Sequence, residues 1–340
     1  MKNRLGWIDV ARGIGIILVI IGHTLTTVIR RDFQFALDLY KNIYYFHMPL
    51  MFFVSGVAFN ASCNRYKASL VSDFISKKAK KLLVPYVSYS ILIYIIFFIA
   101  NSLPKIGSIM ERVGYGRISL GQWIYEMIIG DNSYCVHLWF IYALFILSLI
   151  GFISLRAFGD KYNYILIFPL FMAWWFFYKD ETPMILRMVS GEGIWFIAGT
   201  FVNTRKVWDK KIRIGLMLSL PLLILFRLTV GKMGFPFDLG RLVYIFIVLW
   251  IILFVVAVSQ LLDDKKGKVL SYLGRKSFPI YLFHQPFLAS GMGTILYGQL
   301  HLNVVICIVL SFVCCIVVPL LIDKILQSKR LCVVKRLLLG

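Results

Sequence analysis

Acidic residues are scarce in this chain, with 16 Asp and Glu against 37 Lys and Arg among 340 residues. Charge of either sign is thin, at 16% of residues, whereas 60% are hydrophobic and the mean hydropathy is +0.81. A soluble domain carries about 25% charged and 45–50% apolar residues, so a soluble globular protein is excluded. Paired cysteines are missing too. Cys63, Cys135, Cys307, Cys314, Cys315 and Cys332 show no C-x-x-C spacing, and three of them sit in one apolar run, where Cys acts as a small hydrophobe. Redox chemistry and a zinc site are therefore not expected, and no metal ligands are assigned. The first apolar run leads into Arg30-Arg31-Asp32 rather than a small-residue cleavage site, so it is expected to be retained.

What the chain does have is long apolar runs. A spanning helix needs about 20 mostly apolar residues, and ten runs qualify: 13–29, 43–60, 83–101, 137–155, 162–178, 191–203, 214–230, 242–260, 278–296 and 303–323. The expected fold is an all-α polytopic membrane protein forming a single membrane domain over 1–340, with no internal repeat. Basic residues cluster in alternate loops: Arg65, Lys67 and Lys77–Lys81; Arg205, Lys206, Lys210, Lys211 and Arg213; Lys265, Lys266, Lys268, Arg275 and Lys276; and Lys324 to Arg336. With Lys2 and Arg4 they predict both termini in the cytoplasm, whereas Arg30, Arg31, Lys105, Arg112, Lys232 and a few others face outward. This placement reads as topology signal and contact with anionic lipid, not as a nucleic-acid surface. The expected location is a plasma membrane, the inner membrane of a bacterium. The longest outer loop, 102–136, carries Gly107, Gly114, Gly116 and Gly121. Within it, 123–129 is expected either to lie in the interface or to dip back into the protein. Asp263 and Asp264 read as a solvated loop.

Ionisable groups at membrane depth are costly and usually face a cavity or a partner. Asp9, Arg12 and His23 stand on the first run. The eleven steps from Arg12 to His23 come to about 1100°, three turns plus roughly 20°, so the two share a face about 16 Å apart along the axis. Asp9 lies one turn further out. His47 opens the second run, His137 the fourth, and His284 lies in the ninth. Each is either a candidate substrate contact or a polar residue satisfied at a helix end. An imidazole suits proton transfer near neutral pH. His301 receives no role.

The run Lys77-Lys78-Ala-Lys80-Lys81 before Pro85-Tyr86 fits lipid headgroups or the phosphates of a cytoplasmic nucleotide-containing donor. Arg227, inside the seventh run, needs an acidic partner or an anionic ligand unless it snorkels outward. Glu192 is its nearest candidate by depth.

These residues resemble a known family. Asp9-x-x-Arg12-Gly with His23 after ten intervening residues is similar to the opening signature of the acyltransferase-3 integral membrane acyltransferases. Phe46-His47-Met-Pro49 through Ser55-Gly56, the basic run before Pro85-Tyr86, His137-Leu-Trp139-Phe140, and Ser277 through His284 follow in order. Together they span nearly the whole chain. The pattern is most similar to the fucose 4-O-acetylase-like and enterobacterial-common-antigen O-acetyltransferase branch. One departure stands out: many relatives carry Arg-x-x-Arg where this chain has Lys78 and Lys81, which keeps charge but loses bidentate geometry.

The resemblance implies acyl transfer, usually acetyl from acetyl-CoA as donor substrate with no bound cofactor, to a sugar hydroxyl of an envelope glycan or its lipid-linked precursor. On that reading His23 is the general base, acting on the acceptor hydroxyl or first on the donor. Arg12 holds an anionic part of the donor or polarises its carbonyl, oriented by Asp9 through an i,i+3 pair. Lys78 and Lys81 are donor-binding candidates. His47, His137, Trp139, His284, Glu192 and Arg227 are acceptor-binding candidates. The alternative is a transporter or flippase without chemistry, although the paired broken helices common in transporters are not evident. A scaffold for polysaccharide synthesis ranks last, because it leaves the histidines without work.

Overall fold

Hydrocarbon offers backbone polar groups no partner, so a membrane chain satisfies them within helices. Every regular element among the described residues is a helix or helical turn, and the chain is an all-α polytopic membrane protein. The computed structural model describes residues 6–112, 114–203, 207–230 and 237–340. Lys2, Arg4, Arg205, Lys206 and Lys232 lie outside the described residues, as do the side chains of Arg112, Asp263, Asp264 and Lys265.

Six segments are long and apolar enough to cross a membrane by length and composition: Gly6–Thr24, Val71–Ser102, Val136–Phe177, Lys210–Thr229, Asp238–Leu262 and Val304–Leu326. They take up seven of the ten expected spans, because Val136–Phe177 holds two helices, Trp139–Phe158 and Tyr162–Phe177, joined by a tight turn at Gly159–Lys161. The other three are shorter than a bilayer demands. His47–Asn60 has 14 residues, Met184–Thr200 has 17 and Ser277–Phe283 has 7. The first two are buried along most of their length. Neighbouring protein covers them, so lipid thickness does not set their length.

The ninth expected span is broken. After Phe283 the chain passes through His284-Gln285-Pro286 into a wide π-type turn at Phe287–Gly291. Pro286 has no N–H to donate, and it disfavours helical geometry at the residue before it. The lysine cluster differs from expectation as well. Val71–Lys78, the π-type turn Ala79–Leu83 and Val84–Ser102 run on without interruption, so the cluster stands on a helix rather than in a loop. Asp263 and Asp264 likewise fall within the helix Phe237–Lys266.

The long segment 102–136 contains the helix Leu120–Ile129, capped by the Ser119 side chain and ended by Gly130 at φ 76°. Its Trp123 is buried and stacks on Tyr94, with ring centroids 4.6 Å apart. Trp123 and Glu126 face the protein, whereas Ile124, Tyr125 and Ile128 are exposed, so one face of this helix packs inward and the other is turned away from the protein.

Small residues let membrane helices approach backbone to backbone, and glycines do so here at two seams. A Cβ on Gly13 would overlap the Leu270 carbonyl, and one on Gly274 would overlap that of Asp9. Gly56 and Gly199 make the same approach to the Phe196 and Phe53 carbonyls. The first seam clamps Gly6–Thr24 against Lys268–Arg275, and the second clamps His47–Asn60 against Met184–Thr200. The helices carrying His23 and His47 are thereby fixed in position.

Candidate active site

Four helix ends converge on one point, and each brings a histidine. His23 is the last residue but one of Gly6–Thr24. His47 opens His47–Asn60, His137 sits in the short turn Val136–Leu138 before Trp139–Phe158, and His284 follows Ser277–Phe283 at the proline break. Ring centroids lie 5.1 Å apart for His23 and His284, and 5.3 Å for His284 and His137. Tyr44 joins His47 to the group: its ring lies 4.6 Å from that of His47, and its hydroxyl lies 3.4 Å from His23 Nδ1. Gly22 makes this possible, since a side chain there would press into the Tyr44 ring. Tyr281 packs beside His137 and His284 with its ring tilted to both, and its hydroxyl donates to the His137 carbonyl.

Hydrogen bonds fix the proton positions of three imidazoles. A backbone carbonyl only accepts, so a ring nitrogen bonded to one must carry hydrogen. His47 Nδ1 donates to the Ile43 carbonyl at 2.9 Å, His284 Nδ1 to that of Tyr281 at 2.6 Å, and His137 Nε2 to that of Leu282 at 3.3 Å. In each neutral ring the other nitrogen is then an acceptor. His284 Nε2 is such an acceptor, fully buried and without a partner among the described residues. His23 differs. Its Nδ1 faces a phenol, which can donate or accept, so no backbone group dictates its tautomer.

A cavity of about 480 Å³ opens against His23. Its polar lining includes Thr26, Thr27, Arg30, Tyr40, Tyr44 and Ser290, and its apolar lining includes Phe97 and Phe287. Of the four clustered histidines, His23 alone lines it.

The far end of the same helix is charged. Arg12 Nη1 lies 3.6 Å from Asp9 Oδ1, the expected i,i+3 pair, with Asp9 buried and Arg12 half-buried. Lys78 reaches inward among Phe59, Tyr66 and Phe74, with its ammonium 5.6–5.9 Å from the three ring centroids and 3.4 Å from the Ser148 hydroxyl. Arg12 and Lys81 are the cations that act on it electrostatically. One helix thus joins an imidazole at a cavity to a cationic cluster.

The acyltransferase domain family model, Acyl_transf_3, matches residues 5–319, which hold both ends of this helix and all four clustered histidines. The chain belongs to this acyltransferase family. No curated protein and no solved structure gives a significant match.

In this acyltransferase the sequence-predicted residues fall into three groups. His23, His47, His137 and His284 come together, and Arg12, Asp9, Lys78 and Lys81 occupy the opposite end. The remaining three stand elsewhere. Trp139 stacks on Phe52 at 5.9 Å and packs the helix that His47 opens. Arg227 lies over the Tyr45 ring, 4.4 Å from its centroid, and makes no ion pair with Glu192. Glu192 is buried within electrostatic reach of Tyr178 and Tyr244, and its Oε2 has no hydrogen-bond partner among the described residues. The expected pairing fails because the Tyr45 ring takes the guanidinium instead. Four residues of the site went unassigned in the sequence: Tyr44, Tyr281, Tyr40 and Arg30. Tyr44 lies three positions before His47, a one-turn spacing that would have marked it.

Proposed function

We propose that this membrane acyltransferase moves an acyl group, most simply acetyl, from acyl-CoA to a sugar hydroxyl of a cell-envelope polysaccharide or its lipid-linked precursor in a bacterial inner membrane. The observation that carries this reading is the position of His23. It lines the cavity, and it is the one clustered histidine whose proton is not committed to a backbone carbonyl.

His23 removes the proton of the acceptor hydroxyl as that oxygen attacks the thioester carbonyl. The new C–O bond forms, the C–S bond breaks, and the imidazolium returns the proton to the departing thiolate. Such acid–base assistance contributes about 10²–10⁴-fold. His284, buried outside the cavity lining, packs against the His23 ring, and with His47 and His137 it holds that imidazole in place. Arg12 stands about 16 Å from His23 along the helix, beyond reach of the carbonyl under attack. That distance favours a role on the donor phosphates, shared with Lys78 and Lys81, over carbonyl polarisation.

The test is mass spectrometry of envelope glycans from a deletion strain rescued with wild type or His23→Ala at equal membrane levels. An acyl mass increment restored by wild type alone supports the reading. Restoration by both variants makes His23 structural. Loss of the whole glycan from the surface on deletion favours a transporter.

A further inference from the structure

Among the described residues that line the His23 cavity there is no Asp or Glu, and one full cation, Arg30. On the orientation expected from the loop charges Arg30 faces outward, where positive charge runs against the usual bias, so it calls for a local reason. Its neighbour Arg31 pairs with Asp32 at 2.8 Å. Arg30 has no such carboxylate among the described residues. Its guanidinium lies over Tyr40, 3.7 Å from the ring centroid, and one Nη donates to the Thr27 hydroxyl at 3.0 Å. Tyr40 stacks on Tyr44 at 3.9 Å, and Tyr44 meets His23. A guanidinium presents five N–H donors in one plane. Among the described residues Thr27 takes one of these donors, which leaves others for a ligand in the cavity that Arg30 lines. Such a held, flat fork matches the two oxygens of a carboxylate or phosphate.

From this arrangement we infer that the acyl acceptor is anionic, carrying a carboxylate or phosphate close to the hydroxyl that is acylated, and that Arg30 binds that oxyanion. Tyr40 fixes the guanidinium plane, and the contact between Tyr40 and Tyr44 sets the oxyanion at a constant distance from His23. The inference rests on the reading of this cavity as the acceptor site. It adds a specificity residue and a charge requirement to that reading.

The test uses the full chain in membranes of the deletion strain carrying wild type, Arg30→Gln or Arg30→Lys, with matched protein levels and melting temperatures. Fragmentation mass spectrometry locates the acyl group in both the lipid-linked pool and the finished polymer. The expected product bears the acyl group on a sugar that has, or adjoins, a carboxylate or phosphate. Arg30→Gln should lower the initial acylation rate about 10- to 100-fold, the range of a lost charge-assisted bidentate contact, with Arg30→Lys between the two. An acyl group on a uronic-acid residue of the polymer identifies the anion as a carboxylate. Acylation confined to lipid-linked sugars identifies it as phosphate. A wild-type product acylated on a neutral sugar with neutral neighbours and no phosphate overturns the inference, as does wild-type rate in Arg30→Gln. Neither result touches the transferase reading. If deletion removes no acyl group at all, the transferase reading itself falls and the acceptor assignment falls with it.

Discussion

His23 and His284 lie near opposite ends of the sequence, yet their imidazoles meet with ring centroids 5.1 Å apart and planes at 56°. The two rings are unequal. His284 is fully buried with its Nδ1 proton given to a carbonyl, whereas His23 lines the cavity. The first can accept a hydrogen bond, and the second can exchange a proton.

That inequality predicts a graded mutational response. His23→Ala should lower thioester turnover about 10²–10⁴-fold, the usual worth of a general base, at normal expression. His284→Gln leaves an acceptor oxygen in the same region and should lose less. The check is thiol release from acetyl-CoA by purified protein with an acceptor glycan present. Equal losses in the two variants would remove the distinction between them.

Arg12 should act on donor affinity. Arg12→Gln should raise the KM for acyl-CoA about tenfold or more, consistent with loss of a hydrogen bond to a charged group, with a smaller change in kcat. Steady-state kinetics over a range of acyl-CoA concentrations separate the two parameters. A fall confined to kcat would instead put Arg12 at the reacting carbonyl.

Glu192 and Arg227 should tolerate change. Neither touches the histidine cluster, and Arg227 contributes a cation–π contact worth about 0.5–1 kcal/mol at an exposed site. Turnover in Glu192→Gln and Arg227→Gln is expected within about threefold of wild type, close to the rate change for a barrier shift of 0.6 kcal/mol. A tenfold loss in either would mean that the acceptor extends to the Tyr45 and Tyr244 region.

The glycine seam should be intolerant. Gly274→Ala forces a methyl group into the Asp9 carbonyl, and overpacking of this kind costs about 1–3 kcal/mol. The variant should melt at a lower temperature in detergent and lose activity together with stability. An unchanged melting temperature would show that the two helices can part without cost.

Much of this was legible in the sequence, for definite reasons. The helical face shared by Asp9, Arg12 and His23 follows from periodicity alone, and the Arg12–Asp9 pair is local in sequence. That four histidines converge was not readable, because hydropathy orders helices along the chain and says nothing of their neighbours in space. The break at His284 was missed for another reason: an apolar window averages over Pro286 and hides it. Arg30 was read as a topology charge because counting residues by loop assigns a side of the membrane and no partner. Trp139 stood beside His137 in an ordered motif, yet its ring turns to Phe52 and serves packing.

Arg12 and His23 are mounted on one uninterrupted helix clamped by backbone contact at Gly13. Such a rod is a gauge as well as a support. Inserting a single residue between them would swing one end about 100° around the axis and lengthen the gap by about 1.5 Å, taking the imidazole out of the cavity or the guanidinium away from Lys78. Descendants of this chain can therefore vary acceptor and donor by exchanging side chains at either end. They cannot gain or lose residues between the two without separating the halves of the site.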